Sequence, residues 1–460
     1  MEEFVEKAIG YASKMGRYVE ANYSSSRRNT VVMKNGSISA TGYSRDAGLA
    51  FRIVNSSISF SSSNIQDWNV LKEEIDAAVK RSRLPGRNSL SDEKAYQDSW
   101  KVDEARKIED VALEEKVSVL KDVDSLLTEE GIQMRILVLN DNIEEGLNEN
   151  SDGMSIRYRL PKVSFFAMIG FIEGGSFEQG TVELGYSGGY EAIDFWDLPG
   201  RVKREAAALK KAAAARKITP GTYDLIAGPE ISGIVAHESA GHPSEADRIL
   251  GREMAQAGES FIKKDDKGLR VGSDVVNLVD DPTIDHSFGF YKYDRDGVPA
   301  RKRYLYRKGL VNEFLQNRES AGRMGAKSNG ASRSSEWDKE PLVRMSTTYI
   351  EPGEYSLDEL MEDVKEGVYM RSFTEWNIDD IRFNEKYVGR EAYLIRNGEV
   401  AEQIRRPVIE TTTVKFYSSV DAVGKDLEFS AGTCGKGDPM QGVDVWMGGP
   451  HIRLRGIYVR

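Results

Sequence analysis

The residues best suited to chemistry lie in one six-residue stretch, His237-Glu238-Ser239-Ala240-Gly241-His242. The whole chain has only four histidines, and two of them flank an acid here. Two neutral imidazoles can hold a zinc ion, and a carboxylate beside the first can take a proton from a water that the metal activates. This stretch is therefore the first candidate for a site of metal-assisted hydrolysis, with Glu238 as its base.

The spacing of the two histidines differs from the standard zinc-peptidase motif, which places them at i and i+4 on one helix face. His237 and His242 stand at i and i+5, roughly 140° apart around an ideal helix. Gly241 admits non-helical backbone, and Pro243 disfavours the α conformation for the residue before it. We predict a helix over residues 231–240 and a break at Gly241-His242 that returns His242 toward His237. The alternative is a buried helix end whose histidines bind no metal.

A catalytic zinc site also needs a third protein ligand and an open position. Glu245 and Asp247 follow the motif closely, whereas Cys434 is distant but offers a thiolate, which zinc prefers together with imidazole. The sequence around Cys434, Gly-Thr-Cys-Gly-Lys-Gly, predicts a flexible loop in which Lys436 favours the thiolate. Glu245 and Asp247 can instead orient the imidazoles, and Cys434 can be a small buried hydrophobe.

The other two histidines and one alternative catalytic motif are weaker candidates for a functional site. His286 follows a turn signature and is predicted to lie in a surface loop. His451 follows Gly-Gly-Pro, and the alternatives are that it lines a site near Cys434 or, as favoured, has no role in the site. Residues 185–189 match the Gly-x-Ser-x-Gly nucleophile elbow, which requires a helix directly after the serine. Residues 190–198 are aromatic and acidic and predict a poor helix, so a serine hydrolase that uses Ser187 is the less favoured hypothesis.

Composition excludes several classes of protein. The 460 residues are 40% hydrophobic and 30% charged, enough for two or three domains with cores of their own. The net charge of −11 argues against a nucleic-acid partner. No apolar run reaches membrane-spanning length, and the acidic amphipathic N-terminus does not resemble a signal peptide. With Cys434 as its one cysteine, the chain is expected to work in the cytoplasm without an intrachain disulfide.

Local patterns predict an α+β fold divided near Pro220-Gly221. Asn35-Gly36 between β-prone runs is a hairpin signal. Residues 1–218 are expected to form an N-terminal domain of antiparallel sheet with packed helices. Residues 219–460 are expected to form a mostly antiparallel, barrel-like β domain that carries the motif helix. The periodicity predicts helices at residues 70–83, 113–127, 201–216 and 357–366, antiparallel strands over 155–190, and an ordered loop over 430–450.

Several segments taken together resemble the TldD/PmbA family of metallopeptidases. They are the motif His237-Glu238-x-x-x-His242, the turn Asp280-Asp281-Pro282-Thr283, the run Arg344-Met345-Ser346-Thr347-Thr348-Tyr349-Ile350, and the late Gly432-x-Cys434-Gly435-Lys436. The resemblance runs over nearly the whole chain. It is closer to the catalytic TldD branch than to the PmbA (TldE) branch, whose members lack the intact metal motif.

This resemblance implies a function and a ligand set. His237, His242 and Cys434 would bind Zn²⁺, and Glu238 would be the catalytic base of a peptidase that hydrolyses small or unfolded peptides. The chain would form a homodimer, or a heterodimer with a PmbA (TldE)-like paralogue. The alternative is a non-catalytic zinc-binding scaffold subunit of such a complex.

Overall fold

A computed structural model describes residues 2–86, 89–252 and 258–460, which form β-sheets with helices packed on them. The mixed architecture confirms the predicted α+β class. Every helix of these residues is too short or too polar to cross a bilayer. The helices are α1 (Phe4–Ala12), α2 (Trp68–Ser82), α3 (Leu113–Glu129), α4 (Ala192–Phe195), α5 (Leu198–Ala214), α6 (Pro229–Ala236), α7 (Ala246–Ile249), α8 (Arg318–Met324), α9 (Leu357–Met361) and α10 (Thr413–Ser418).

The first sheet is built from long antiparallel strands with one short parallel strand at its edge. Asn35 and Gly36 form the predicted tight turn, both with positive φ, which matches the twist of a two-residue hairpin. The strands run in the order β3, β2, β1, β5, β6, and β6 also pairs with β4 and β7. Their bounds are β1 (Tyr18–Lys34), β2 (Ser37–Val54), β3 (Ile58–Ser63), β4 (Gln97–Lys101), β5 (Met134–Asn150), β6 (Ser155–Glu173) and β7 (Ser176–Ser187).

Helices cover this sheet because their apolar residues recur at helical spacing. In α3, the buried Leu120, Val123 and Leu127 lie on one face and pack with β5 and β6 in one core. In α2, Leu71 and Ile75 join a second core with α1 and β2. The long strands and the helices therefore stabilise each other through apolar burial.

The later strands form two larger sheets and one two-stranded ribbon within the described residues. A sheet ordered β16, β17, β20, β24, β8, β15, β18, β19, with β21 beside β24, packs near a sheet ordered β11, β10, β9, β14, β23, β22. The strands are β8 (Gly221–Ala227), β9 (Leu278–Asp280), β10 (Arg303–Arg307), β11 (Leu310–Val311), β12 (Ser332–Arg333), β13 (Leu342–Val343), β14 (Thr347–Ile350), β15 (Glu366–Met370), β16 (Phe373–Ile378), β17 (Asn384–Gly389), β18 (Ala392–Arg396), β19 (Glu399–Ile404), β20 (Val408–Thr412), β21 (Val420–Val423), β22 (Glu428–Lys436), β23 (Gln441–Gly449) and β24 (Ile452–Val459).

The glycine-dense segment predicted as a loop is a regular hairpin. β22 and β23 pair antiparallel along their full length, with Cys434 opposite Val443, and β23 also pairs parallel with β14. Its glycines permit close approach: a side chain at Gly233 of α6 would collide with the backbone of Gly448. The loop prediction is therefore wrong, because packing against α6 and β14 compensates for the low strand propensity of glycine.

Two helices end or begin at residues other than those predicted, because a capping side chain or strand pairing sets the boundary. The helix predicted over residues 357–366 ends at Met361, because Glu366 already pairs with Arg396 as the first residue of β15. The helix predicted to start at residue 201 begins at Leu198, where the Asp197 carboxylate accepts from the Gly200 amide. The division of the chain after residue 218 remains a prediction.

A buried ionic cluster joins the first sheet to the later part of the chain. The Arg52 guanidinium on β2 donates to Glu20 at 2.7 Å and to Asp296 at 2.6 Å. Arg318 donates to the Tyr18 hydroxyl at 2.7 Å. The side chains of Arg52, Glu20 and Asp296 are at most 3% exposed. Removal of one partner would leave charges buried without compensation.

We expect Arg52→Met to lower the free energy of unfolding by about 3–5 kcal/mol, since Glu20 and Asp296 lose their shared cation. Denaturant titration followed by circular dichroism measures the change. The matched control is Lys72→Met, which removes an exposed pair with Asp76 and should change stability far less. Equal effects of the two substitutions would contradict a joining role for the buried cluster.

Candidate metal centre

The motif occupies a widened turn at the end of α6. The regular helix ends at Ala236, and residues His237–Gly241 continue as a π-helical turn. The amide of His242 donates to the carbonyl of His237, five residues earlier. A π turn brings residues i and i+5 to the same side, because it contains one residue more than an α turn. The two imidazole rings consequently lie 5.0 Å apart.

The predicted break at Gly241-His242 is wrong. Both residues keep right-handed helical dihedrals, with φ near −59°. The extra residue is absorbed by the wider turn, so the chain does not need to leave the helix. Gly241 is needed for a different reason: a side chain at this position would collide with Met345. Pro243 cannot donate to the carbonyl of Ser239, and the Tyr306 hydroxyl does so at 3.1 Å.

Three metal-type donors converge beside this turn. The ligand atoms of His237, His242 and Cys434 all lie within 4.8 Å of one another, and the three residues are buried. The Cys434 Sγ is 3.6 Å from the His242 Nε2. Cys434 reaches the motif because β22 runs beside β23, and β23 packs on α6.

Glu245 and Asp247 lie behind the donors. The His242 Nδ1 is 3.0 Å from the Glu245 Oε2, which fixes the imidazole with its Nε2 toward Cys434. Lys436 donates to Asp247 at 2.7 Å. The sequence predicted that this cation would favour the Cys434 thiolate, but it pairs with a carboxylate instead. Glu245 therefore has the geometry of a group that orients an imidazole, whereas the Asp247 carboxylate binds Lys436 and backbone amides.

Burial sets the protonation state of both imidazoles. It lowers the pKa of His237 and of His242 below the usual value, which favours the neutral form that binds metals. The His237 Nδ1 lies 3.3 Å from the Thr348 hydroxyl, so its ring is also oriented. Burial raises the pKa of the Cys434 thiol, but His242 and Arg344 outweigh burial and bring it to about 7. The thiolate is thus accessible near neutral pH.

The motif carboxylate lies at the rim of this cluster. The Glu238 Oε2 is 4.0 Å from the His242 Nε2 and 2.9 Å from the Arg382 Nη1. Burial raises the pKa of Glu238, while the charges of His237 and Arg382 oppose that rise. Perturbed carboxyls cluster at functional sites, and the position of Glu238 beside the donors makes it the candidate for proton transfer.

The remaining sequence candidates lie elsewhere. His451 contacts Tyr369 and Asp426, at 2.9 Å and 2.7 Å, and His286 contacts the backbone carbonyl of Ser187 at 2.8 Å. Ser187 is fully buried, and the short α4 that follows it starts five residues later. Among the described residues, neither histidine and no acid contacts its hydroxyl, which disfavours the serine-hydrolase hypothesis.

Three side chains that contact the motif were not predicted from the sequence. They are Thr348 beside His237, Arg382 on Glu238, and Glu385, which accepts from the hydroxyls of Ser239 and Tyr387. Arg382 and Glu385 are more than 140 residues from the motif in sequence, and no local pattern marks them. Thr348 lies in one of the segments that carry the family resemblance.

The donor set fits zinc on chemical grounds. Two imidazoles and one thiolate are zinc's preferred ligands, and three protein ligands with a carboxylate nearby are the composition of a catalytic site. Glu245 and Thr348 orient the two imidazoles, as carboxylates and hydroxyls do behind metal ligands.

Comparison with known families agrees with this geometry. Family models described as PmbA/TldA metallopeptidase domain 1, central domain and C-terminal domain match residues 19–84, 106–214 and 220–460. The chain belongs to the PmbA/TldD family of metallopeptidases. In this family member the two motif histidines and Cys434 form a metal-type cluster, and Glu238 lies at its edge.

Relatives of this PmbA/TldD protein match either nearly all of the chain or about half of it. A metalloprotease of Methanocaldococcus jannaschii is 32% identical over 98% of both chains. A zinc metalloprotease TldD homolog of Saccharolobus solfataricus is 31% identical over 52% of both. The fold matches TldE from Thermococcus kodakarensis with a TM-score of 0.78, at 17% identity over 99% of each chain. The similarity to the two metalloproteases supports a protease-type enzyme, and the structural match shows the shared fold.

The buried carboxyl beside the motif gives a pH prediction. Burial raises the pKa of Glu385 to about 7, so the folded protein favours the neutral acid. Because the unfolded chain ionises at lower pH, stability should fall as pH rises from about 4.5 to 7, by about 3 kcal/mol for this group. Glu385→Gln should remove most of this fall in thermal unfolding between about pH 5 and pH 8. An unchanged pH dependence would contradict the assignment.

Proposed function

We propose that this chain is a zinc-dependent metallopeptidase in which His237, His242 and Cys434 hold the ion and Glu238 is the general base. The observation that carries the proposal is the convergence of these three donors beside the Glu238 carboxylate. Bound zinc would supply Lewis acidity, polarising the scissile carbonyl and lowering the pKa of a water.

The chain's own residues would divide the remaining work. Glu238 takes the proton of the attacking water on its carboxylate and passes it to the leaving amine. Glu245 holds the His242 ring through its Nδ1, and Thr348 does the same for His237. Burial of the cluster limits water, which strengthens each electrostatic interaction.

A non-catalytic scaffold subunit with a structural zinc is the second candidate. A structural site is closed by four protein ligands and needs no base. Here the three donors leave a position open, and the Glu238 carboxylate at their edge is held by Arg382 at 2.9 Å. These features favour the enzyme.

The family membership supports a proposal for the substrate and the partner. We propose small or unfolded peptides as substrates, and assembly as a homodimer or with a PmbA (TldE)-like paralogue. The shared fold with a solved TldE supports the second form of pairing. The cytoplasmic location remains a prediction.

The ligand set predicts metal content. Purified wild-type protein should hold about one zinc per chain, and His237→Ala and Cys434→Ser should lose most of it, since each removes one of three ligands. Elemental analysis after dialysis against a weak chelator measures the loss. His451→Ala, outside the cluster, is the control. Undiminished zinc in the Cys434 variant would move the third ligand to Glu245 or Asp247.

If Glu238 is the general base, its substitution should abolish peptide cleavage without removing the zinc. Glu238→Gln should keep its zinc and lose peptidase activity by a factor of about 100 or more, because the amide cannot accept the proton. Cleavage of a fluorogenic peptide library by the wild type and the variant tests this. Glu410→Gln, at an exposed carboxylate, is the control with unchanged activity. Full activity in the Glu238 variant would assign the protein another mechanism.

A further inference from the structure

The Glu238 carboxylate lies between the donor cluster and a guanidinium. On one side its Oε2 lies 4.0 Å from the His242 Nε2, at the edge of the donor cluster. On the other side the same oxygen accepts from the Arg382 Nη1 at 2.9 Å. The two side chains of this ion pair are only 5% and 14% exposed, so solvent screens the pair weakly.

A carboxylate in this place creates a chemical problem. Carboxylate oxygen is itself a zinc ligand, and a divalent ion bound to three donors attracts a nearby anion into its fourth position. If Glu238 became that fourth ligand, water and substrate would have no position on the metal, and the base would be consumed as a ligand. A catalytic site therefore needs a force that holds this carboxylate back.

We propose that Arg382 is a positioning residue that keeps the Glu238 carboxylate out of the metal's coordination sphere and aims it at the attacking water. This inference rests on the proposed metallopeptidase function. The guanidinium competes for the oxygen that lies nearest the donor cluster. Its planar, permanently charged group donates to a carboxylate in a fixed direction, which a flexible ammonium does less well.

The backbone at Arg382 is shaped for this contact. Arg382 has a φ of +64°, a left-handed conformation that costs energy for a residue with a side chain. Its amide donates to the carbonyl of Asp379 at 3.0 Å, and its carbonyl accepts from the Thr413 hydroxyl at 3.0 Å. The Asp379 carboxylate also accepts from the amide of Phe383 at 2.7 Å. These bonds hold the turn between β16 and β17 in the conformation that directs Arg382 toward Glu238.

A second cation close to Glu238, Arg248, contacts the carboxylate that orients His242. Arg248 also favours the ionised form of Glu238, but its Nε donates to Glu245 at 2.6 Å. Arg382 donates directly to the Glu238 carboxylate, so this contact constrains the position of the carboxylate.

The test compares Arg382→Ala, Arg382→Gln and Arg382→Lys with the wild type, each loaded with Zn²⁺ or Co²⁺. In the Ala and Gln variants, kcat should fall about 100-fold with little change in KM, because a displaced base no longer faces the water. Zinc affinity, measured by chelator competition, should rise about tenfold as Glu238 joins the ligands. The visible spectrum of the cobalt protein should change accordingly. Lysine and, in the Ala variant, added guanidinium ion should restore part of kcat.

A second substitution separates positioning from structural damage. In Arg382→Ala/Glu238→Gln, the rise in metal affinity and the spectral change should disappear, since an amide is a poor zinc ligand. Arg460→Ala, which removes a guanidinium from an exposed carboxylate pair, should match the wild type in every measurement. Circular dichroism tests whether each variant is folded. If the Ala variant is not folded, the Gln and Lys variants are compared with the wild type instead.

Two outcomes would overturn separate claims. An unchanged cobalt spectrum and zinc affinity in the folded Ala or Gln variant would show that Arg382 does not hold Glu238 back, whatever happens to activity. Wild-type protein that binds no metal, or a fully active Glu238→Gln variant, would overturn the proposed function itself. The spectral comparison needs no substrate, so the two failures are distinguishable.

Discussion

One backbone hydrogen bond, from the amide of His242 to the carbonyl of His237, sets the geometry on which the site depends. In an α turn the two imidazoles would diverge, and the extra residue of the π turn brings them to one side. The surrounding structure is shaped to this wider turn. Tyr306 donates to the carbonyl that Pro243 leaves without a donor, and Met345 fills the space beside Gly241. The widened turn is therefore a built feature of the fold.

Paired charges surround this turn in a protein that is strongly acidic overall. Arg382 contacts Glu238 in front of the donors, and behind them the cations Arg248 and Lys436 contact Glu245 and Asp247 respectively. An unpaired charge at this depth would be costly, and each pair avoids that cost while fixing the direction of a carboxylate. Since the imidazole ring of His242 is oriented by one of these carboxylates, the charge pairs and the ligand geometry depend on each other.

Sequence reasoning succeeded where local chemistry decides the structure. The turn at Asn35-Gly36 follows from backbone preference, and the helix predicted over residues 113–127 from apolar spacing; the observed helix extends two residues further, to Glu129. It failed where distant segments compete. The glycine-dense stretch around Cys434 is a strand because β14 and α6 pack against it, and residues 362–366 leave a predicted helix because β15 pairs there with β18. Local propensity contains no information about such partners.

The sequence by itself determined the chemistry that this protein can attempt: two histidines and a glutamate in one motif, a single cysteine, and membership of a metallopeptidase family. Only the tertiary structure decided which donors meet and how the carboxylate is held. Cys434 reaches His242 across 192 residues, and Arg382 reaches Glu238 across 144. Contacts over such separations arise from the packing of sheets on a helix, whereas sequence patterns report on interactions within a few turns of chain.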